Sequence, residues 1–490
     1  MIADEKFVLL ANLPWIRDGR QGVRAGSRWP HIKSSSEINY LPFPFFLAYS
    51  AALLEKNGVS SLFIDAVAEK LTSDEFLDRL SAHKISWLVA ETSIPSFSDD
   101  LLLLEKIAAK GVGIILCGPN SQMWTSDFLE RHPFVSFVLV GEYEFTLLEL
   151  IRALKEGSAL SSVSGILYRQ DGRVQRTLKR SPFDIDSLPW PERDCLPMNA
   201  YLDAPGGMPV PSAQMMASRG CPFKCGFCLW PQVIYQGHHY RARDVKDVID
   251  EMEYLVREKG FKSVYFDDDT FNVGRDRMFV FCSEIKKRRM EKIPWAIMAR
   301  PDLMDEDVLN AMKDAGLWAV KYGVESAEQF LVDSIGKNMD LKKTIEMVLL
   351  TKKLGIRTHL TFTFGLPGET KETMDATIDL ALKLDPFSVQ FSITTPFPGT
   401  AYYDELNNKG FIISKNFNEF DGHGSSVIAL PSLSAVELSQ AKTRAYAVWK
   451  EHEARRSGGT VMNKFLRHYE EKGFSYAFRR GIQFIKDGLK

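Results

Sequence analysis

Three of the chain's six cysteines fall within eight residues, in Cys221-Pro222-Phe223-Lys224-Cys225-Gly226-Phe227-Cys228. A tight loop with this spacing can present three thiolates to one metal centre. Iron–sulfur clusters are usually held by four cysteines, so three point to a [4Fe–4S] cluster with one iron left open. An open iron can chelate a substrate or cofactor and pass an electron to it. The competing readings are a zinc site or three incidental thiols. Structural zinc takes four ligands, commonly two Cys-x-x-Cys pairs or cysteines joined by a spaced histidine pair. His238 and His239 are close by but adjacent to each other, which is poor spacing for a shared tetrahedral site. A disulfide framework does not suit so few cysteines in 490 residues. The spacing favours the redox cluster.

Three cysteines spaced in this way, with the aromatic Phe227 just before the last, resemble the signature of the radical S-adenosylmethionine (radical SAM) enzymes. The resemblance implies that Cys221, Cys225 and Cys228 ligate the cluster. It also implies that the open iron binds the amino and carboxylate groups of S-adenosylmethionine. Electron transfer would then cleave the C5′–S bond and give a 5′-deoxyadenosyl radical. Further strand ends fit the same pattern. Asp267-Asp268-Asp269 closes one apolar run, Glu325-Ser326 another, and Gly365-Leu366-Pro367-Gly368-Glu369 a third that opens a helix. By resemblance, Phe227, Asp268, Glu325, Ser326, Gly365, Pro367 and Gln390 contact S-adenosylmethionine. Read alone, the three aspartates are a solvated turn or a divalent-metal site; magnesium is the weaker reading because no nucleotide-binding loop accompanies them.

These residues need elements to position them. The chain is 45% apolar and 25% charged, with a formal net charge of −2. That is ordinary for a soluble globular protein and gives no global attraction to nucleic acid. No apolar run approaches the roughly 18 residues of a membrane span. The charged start, Asp4-Glu5-Lys6, does not suit a secretion signal. Few cysteines and no signal predict a reducing cytoplasm.

Over residues 1–155, apolar strands alternate with amphipathic helices. The predicted strands are 7–13, 61–65, 85–91, 112–117 and 135–140. The predicted helices are 45–56, 74–82 (capped by Ser73), 99–110 and 145–155. This rhythm implies a doubly wound parallel sheet, whose ligands bind at the carboxyl ends of the strands. Those ends carry Thr92-Ser93, Gly118-Pro119 and Gly141-Glu142. No Gly-x-Gly-x-x-Gly follows the first strand, which counts against a dinucleotide. The order of elements is similar to the cobalamin-binding domains that precede some radical SAM cores. The resemblance implies that Thr92, Ser93, Gly118, Pro119, Gly141 and Glu142 line a cobalamin site; the alternative is a sheet that binds no cofactor. The long loop 14–42 lacks the Asp-x-His-x-x-Gly that supplies a cobalt ligand in methionine-synthase-type domains. His31, Arg24, Arg28 and Trp29 lie in it without an assigned role. A second N-terminal three-cysteine cluster, as in methylthiotransferases, is absent, since only Cys117 precedes residue 156.

Residues 156–210 read as a hairpin turning at Asp171-Gly172, followed by a connector with seven prolines in the thirty positions from 182 to 211. Residues 211–405 return to strands and helices behind 213–217, with a helix at 245–259 leading to the strand end 263–269 and further strands at 295–299, 319–324 and 358–364. About six strand–helix units predict a partial barrel open on one side, short of the eight that close one. Residues 406–490 are predicted mainly helical, with helices at 435–456, 461–471 and 476–486. From 441 to 490 there are 12 Lys/Arg against 5 Asp/Glu, which makes peripheral membrane contact by the last helix an alternative to packing on its own domain.

The expectation is therefore a cobalamin-dependent radical SAM methylase acting on an unactivated carbon, with a reductant such as flavodoxin or ferredoxin. The substrate class expected is a small or lipid-like molecule. One alternative keeps both cofactors but forms a ring or C–C bond without methyl transfer. Another is a cobalamin- or redox-responsive binding protein without turnover. No residue is singled out as a catalytic acid or base.

Overall fold

The computed structural model describes residues 4–33, 40–120, 123–422 and 424–456. They gather into two compact units that do not follow chain order. The first comprises Met1–Leu202, Gly220–Arg241 and Thr395–Val427; the second comprises Asp203–Arg219, Ala242–Thr394 and Ile428–Lys490.

The first unit is built on a seven-stranded sheet. Its strands are β1 (Asp4–Asn12), β2 (Ser61–Asp65), β3 (His83–Glu91), β4 (Gly113–Cys117), β5 (Val135–Leu139), β6 (Ile166–Gln170) and β7 (Arg173–Arg176). The spatial order is β7-β6-β5-β4-β3-β1-β2. The first five strands are parallel, whereas β6 and β7 form the antiparallel hairpin at the edge. Val8, Leu9, Leu10 and Ala11 are all fully buried. Such an unbroken run of buried apolar residues marks a strand covered on both faces, as in doubly wound sheets. One face packs a core that includes Leu9, Leu88, Leu104, Ile114 and Phe128. Each such side chain contributes roughly 1.5–3 kcal/mol by leaving water. The chain leaves β1 toward β2 and then returns to β3 on the other side, so the order reverses beside the Asn12 and Glu91 ends. Crevices at such reversals are where open α/β sheets bind ligands.

Two local expectations need correction. The helix Ser73–Ser81 is capped by Thr72, not Ser73; Thr72 and Glu75 form a reciprocal capping box. The stretch from Pro14 to Pro42 is not a plain loop. It contains a three-stranded antiparallel sheet of Ile16–Arg17, Arg20–Val23 and His31–Lys33, turned at Asp18-Gly19. Both turn residues have positive φ, 51° and 69°, as a two-residue hairpin turn requires.

The second unit carries a six-stranded, all-parallel sheet in sequential order: β8 (Ser212–Met215), β9 (Ser263–Phe266), β10 (Trp295–Ala299), β11 (Leu317–Glu325), β12 (Arg357–Phe364) and β13 (Ser388–Ile393). This is the open half-barrel expected. Helices return the chain between strands, and Trp295 meets Phe266 and Phe281 edge-on at 6.1 and 5.4 Å, fixing the helix Arg275–Lys287 on the sheet. The proline-rich connector forms only short 3-10 turns. Its last turn ties down on the half-barrel, where the Gly206 carbonyl accepts from Trp318 Nε1 (2.9 Å) and Arg357 Nη1 (2.6 Å). The helix Ala435–Arg456 has the predicted bounds. The helices expected at 461–471 and 476–486 lie outside the described residues. No helix among the described residues is long and apolar enough to cross a membrane.

Candidate functional site

The cysteine loop lies in the first unit. Gly220, just before it, has φ +83°, and a Cβ there would fall 1.8 Å from the His239 carbonyl oxygen, so only glycine permits the pass. Cys221, Cys225, Phe227 and Cys228 are all half-buried, and none of the cysteines is in a disulfide. The loop is held by its backbone. Gln232 Nε2 donates to the Gly226 and Cys228 carbonyls at 3.1 and 2.7 Å, and the Cys228 amide donates to the Cys225 carbonyl at 3.2 Å. From the opposite side the Tyr402 amide donates to Gly226 O (3.0 Å) and the Ala401 amide to Gln232 Oε1 (2.8 Å). Gln232 and the 400–402 segment were not expected from the sequence, because nothing local marks a side chain that clamps carbonyls. Among the described residues no three His, Cys, Asp or Glu side chains converge on a single ion. Each cysteine of a [4Fe–4S] cluster ligates its own iron, so the three thiols of this backbone-clamped loop need not converge on one point to hold one.

The strand ends of the first unit form a small cavity lined by Ser27, Phe46, Glu91, Gly118, Pro119, Tyr143, Trp230 and Ile234. Of the residues expected to hold cobalamin, Gly118 and Pro119 line it. Gly118 has φ +109°, and a Cβ would come within 2.8 Å of the Thr92 carbonyl. Thr92 Oγ1 accepts from Asn120 Nδ2 at 3.3 Å, while Asn120 Oδ1 is buried without a hydrogen-bond partner. Ser93 turns away toward Ser96, with the hydroxyls 2.8 Å apart. Gly141 and Glu142 face the chain that follows the cysteine loop: a Cβ on Gly141 would lie 3.1 Å from Ile234 O, and Glu142 pairs with Arg241 at 2.7 Å. Arg24 is sequestered, its guanidinium on Asp100, Ser96 and Asn12. Arg28 stacks over Trp230 at 4.4 Å. The lining is aromatic with small residues, and the space it encloses suits an edge or side arm of a corrinoid, not its ring.

The residues expected to hold S-adenosylmethionine, Phe227 apart, lie in the second unit. Asp268 is fully buried; its Oδ1 accepts from the Ala217 amide at 2.9 Å and its Oδ2 from the Ser218 hydroxyl. It thereby shapes the segment that runs into Gly220. Burial pushes its carboxyl up to about 7. Glu325 ends β11 with φ +72°, a conformation a non-glycine residue adopts at a cost. Lys337 Nζ holds it, 2.6 Å from Glu325 Oε1 and 2.8 Å from the Gly323 carbonyl. Ser326 is buried and accepts from the Glu328 amide at 3.2 Å. Gly365, with φ +92°, directly follows β12, and Pro367 is half-buried in the turn. Glu369 accepts from the Gly365 and Leu366 amides, and burial pushes its carboxyl up to about 7. Gln390 sits inside β13, opposite Thr361.

Residues 215–381 match the radical SAM superfamily. An uncharacterized methyltransferase of Pyrococcus horikoshii is 32% identical over 408 residues, which cover 82% of this chain and 86% of that protein. The anaerobic magnesium-protoporphyrin IX monomethyl ester cyclase of Rubrivivax gelatinosus is 28% identical over 387 residues, 75% of this chain and 66% of the cyclase. Among solved structures, the cobalamin-dependent S-adenosylmethionine radical enzyme OxsB, with aqua-cobalamin and S-adenosylmethionine bound, aligns with a TM-score of 0.70 at 15% identity, covering 99% of this chain and 71% of OxsB. At that identity the likeness is one of fold.

Proposed function

The chain belongs to the radical SAM superfamily, and from that premise we propose that it is a cobalamin-dependent radical SAM methylase acting on an unactivated carbon. The observation that carries this reading lies inside the first unit. Trp230 and Ile234, two and six residues past Cys228, line the same cavity as Gly118 and Pro119 at the sheet's strand ends. One rigid connection therefore serves both the cluster loop and the corrinoid-type cradle.

In this reading Cys221, Cys225 and Cys228 hold a [4Fe–4S] cluster. Phe227, Asp268, Glu325, Ser326, Gly365, Pro367 and Gln390 serve S-adenosylmethionine, and Thr92, Ser93, Gly118, Pro119, Gly141 and Glu142 serve cobalamin. When bound, these groups supply a 5′-deoxyadenosyl radical and a methyl group. The chain's own residues position them and keep water away. Gln232 and the Ala401 and Tyr402 amides hold the cluster loop. Lys337 orients Glu325, and Glu369 fixes the turn after β12. The electron comes from a low-potential protein such as flavodoxin or ferredoxin, in a reducing cytoplasm, and the substrate is a small or lipid-like molecule.

A second reading, oxidative ring or C–C bond formation without methyl transfer, is favoured by the likeness to the cyclase. Product mass separates the two. A gain of one methylene unit per turnover supports methylation, and loss of hydrogens without added carbon supports the cyclase reading.

A further inference from the structure

The antiparallel hairpin at the edge of the first unit carries a strip of positive charge with no part in the sites described. From Gly172 to Phe183 the chain holds four Lys/Arg and no Asp/Glu. Arg173 and Arg176, on the edge strand β7, are exposed, and so is Lys179 just beyond it. Among the described residues these three make no ion pair, whereas Arg180 is matched by Glu149. Leu178, 84% exposed, adds one apolar contact point. The chain as a whole carries a net charge of only −2, so the strip is a local departure from near neutrality.

Its place in the first unit gives the strip a meaning. Lys179 Nζ donates to the Gln236 carbonyl at 2.7 Å, and Arg241 Nη1 donates to the Phe183 carbonyl at 3.1 Å. The strip is thus stitched to the chain that follows the cysteine loop. Three residues beyond Gln236, the His239 carbonyl packs against Gly220, the neighbour of Cys221. Three residues of chain span at most about 11 Å, so the charged strip ends close to where the cysteine loop begins. The loop itself exposes Lys224.

We propose that Arg173–Arg180 is the docking surface for the electron donor, and that the donor is a small carrier protein with an acidic face. This rests on the cluster assignment and the external reductant of the reading above, and is indifferent to whether the product is methylated or cyclised. The docked carrier is oxidised by one electron, which passes to the cluster; no proton or group moves. Opposite charge across such a surface speeds encounter and fixes orientation, and its effect fades with salt. A carrier has to come close to the cluster, whereas a membrane contact gains nothing from lying beside it.

The test measures binding of an oxidised acidic flavodoxin, and of an oxidised acidic ferredoxin, to the full chain by titration calorimetry. Salt is set at about 50 mM and about 500 mM. The wild type should bind a carrier at low salt and weaken at high salt. Arg173→Glu with Arg176→Glu should weaken low-salt binding about tenfold or more and flatten the salt dependence. Lys342→Glu with Lys353→Glu makes the same charge change on two exposed lysines of the helix Leu341–Lys353, and should bind as the wild type does. Cluster reduction in the Arg173/Arg176 variant should slow in proportion with the carrier as donor, and keep the wild-type rate with dithionite. Equal weakening by both pairs of substitutions, or none by the first, would overturn the docking surface. So would the absence of carrier binding by wild-type protein that forms 5′-deoxyadenosine with dithionite. Loss of binding to phosphatidylglycerol vesicles in the Arg173/Arg176 variant, with carrier binding intact, would assign the strip to a membrane instead. Failure of the wild type to form 5′-deoxyadenosine even with dithionite would overturn the reading beneath the proposal, and is seen with no carrier present.

Discussion

The strand ends of the two units surround their buried carboxylates differently. In the second unit the carboxylates bond to their own chain: Asp268 holds Ala217 and Ser218, Glu325 is gripped by Lys337, and Glu369 closes the turn at Gly365 through Oε2 while its Oε1 has no partner. In the first unit Glu91 lines a small cavity. Asn120 Oδ1 has no partner, and Glu91 has a neutral tyrosine instead of a cation. Buried polar atoms without partners cost about 1–3 kcal/mol each, so a site that retains one is organised for something that will bond to it. The second unit shapes loops with its acids, whereas the first sets Glu91 against a cavity beside a neutral tyrosine.

That contrast can be broken experimentally. The largest expected effect is at the cysteine loop: replacing Cys221, Cys225 or Cys228 by alanine should reduce 5′-deoxyadenosine formation to background and lower bound iron, with far-UV circular dichroism unchanged. In the second unit, Lys337→Met strands a buried carboxylate whose side chain is 11% exposed. It should cost about 3 kcal/mol in denaturant unfolding and weaken S-adenosylmethionine binding. An unchanged affinity would mean that Glu325 does not need its lysine.

A further prediction concerns pH at Glu91. Burial lifts its folded-state pKa to about 7, above the ordinary 4.5, so the folded chain holds this proton more tightly than the unfolded chain does. The associated stability is fully present below about pH 4.5 and is lost as pH rises through 7. Wild-type stability relative to Glu91→Gln should therefore fall by about 2–3 kcal/mol between those limits. Asp268→Ala should have a smaller effect, about 2 kcal/mol, by leaving the Ala217 amide and Ser218 hydroxyl unsatisfied.

How much of this was legible in the sequence follows from the range of each interaction. The cysteine motif was legible because its three donors lie on one loop. The helix Phe45–Lys56 and strand Ser61–Asp65 were expected residue for residue, since unbroken apolar runs with Asn57-Gly58 between them encode both. The half-barrel was legible from its strand–helix count. Thr72 was missed although Thr72-x-x-Glu75 is a capping-box signature. The hairpin at Asp18-Gly19 was missed although the same dipeptide at 171–172 was read correctly. Other features had no local signal. Arg24 meets Asp100 across 76 positions, and the Ala401 amide reaches Gln232 across 169. The gathering of 220–241 and 395–427 with the N-terminal sheet is likewise a product of long-range packing.

The central claim can be tested without knowing the substrate. The reconstituted, reduced protein is loaded with cobalamin under anaerobic conditions and given S-adenosylmethionine, and S-adenosylhomocysteine and 5′-deoxyadenosine are both quantified. The methylase reading predicts both products, with S-adenosylhomocysteine formed only when cobalamin is present. Formation of 5′-deoxyadenosine with no S-adenosylhomocysteine, from protein that retains its corrinoid, would contradict methyl transfer and favour the cyclase-like chemistry instead.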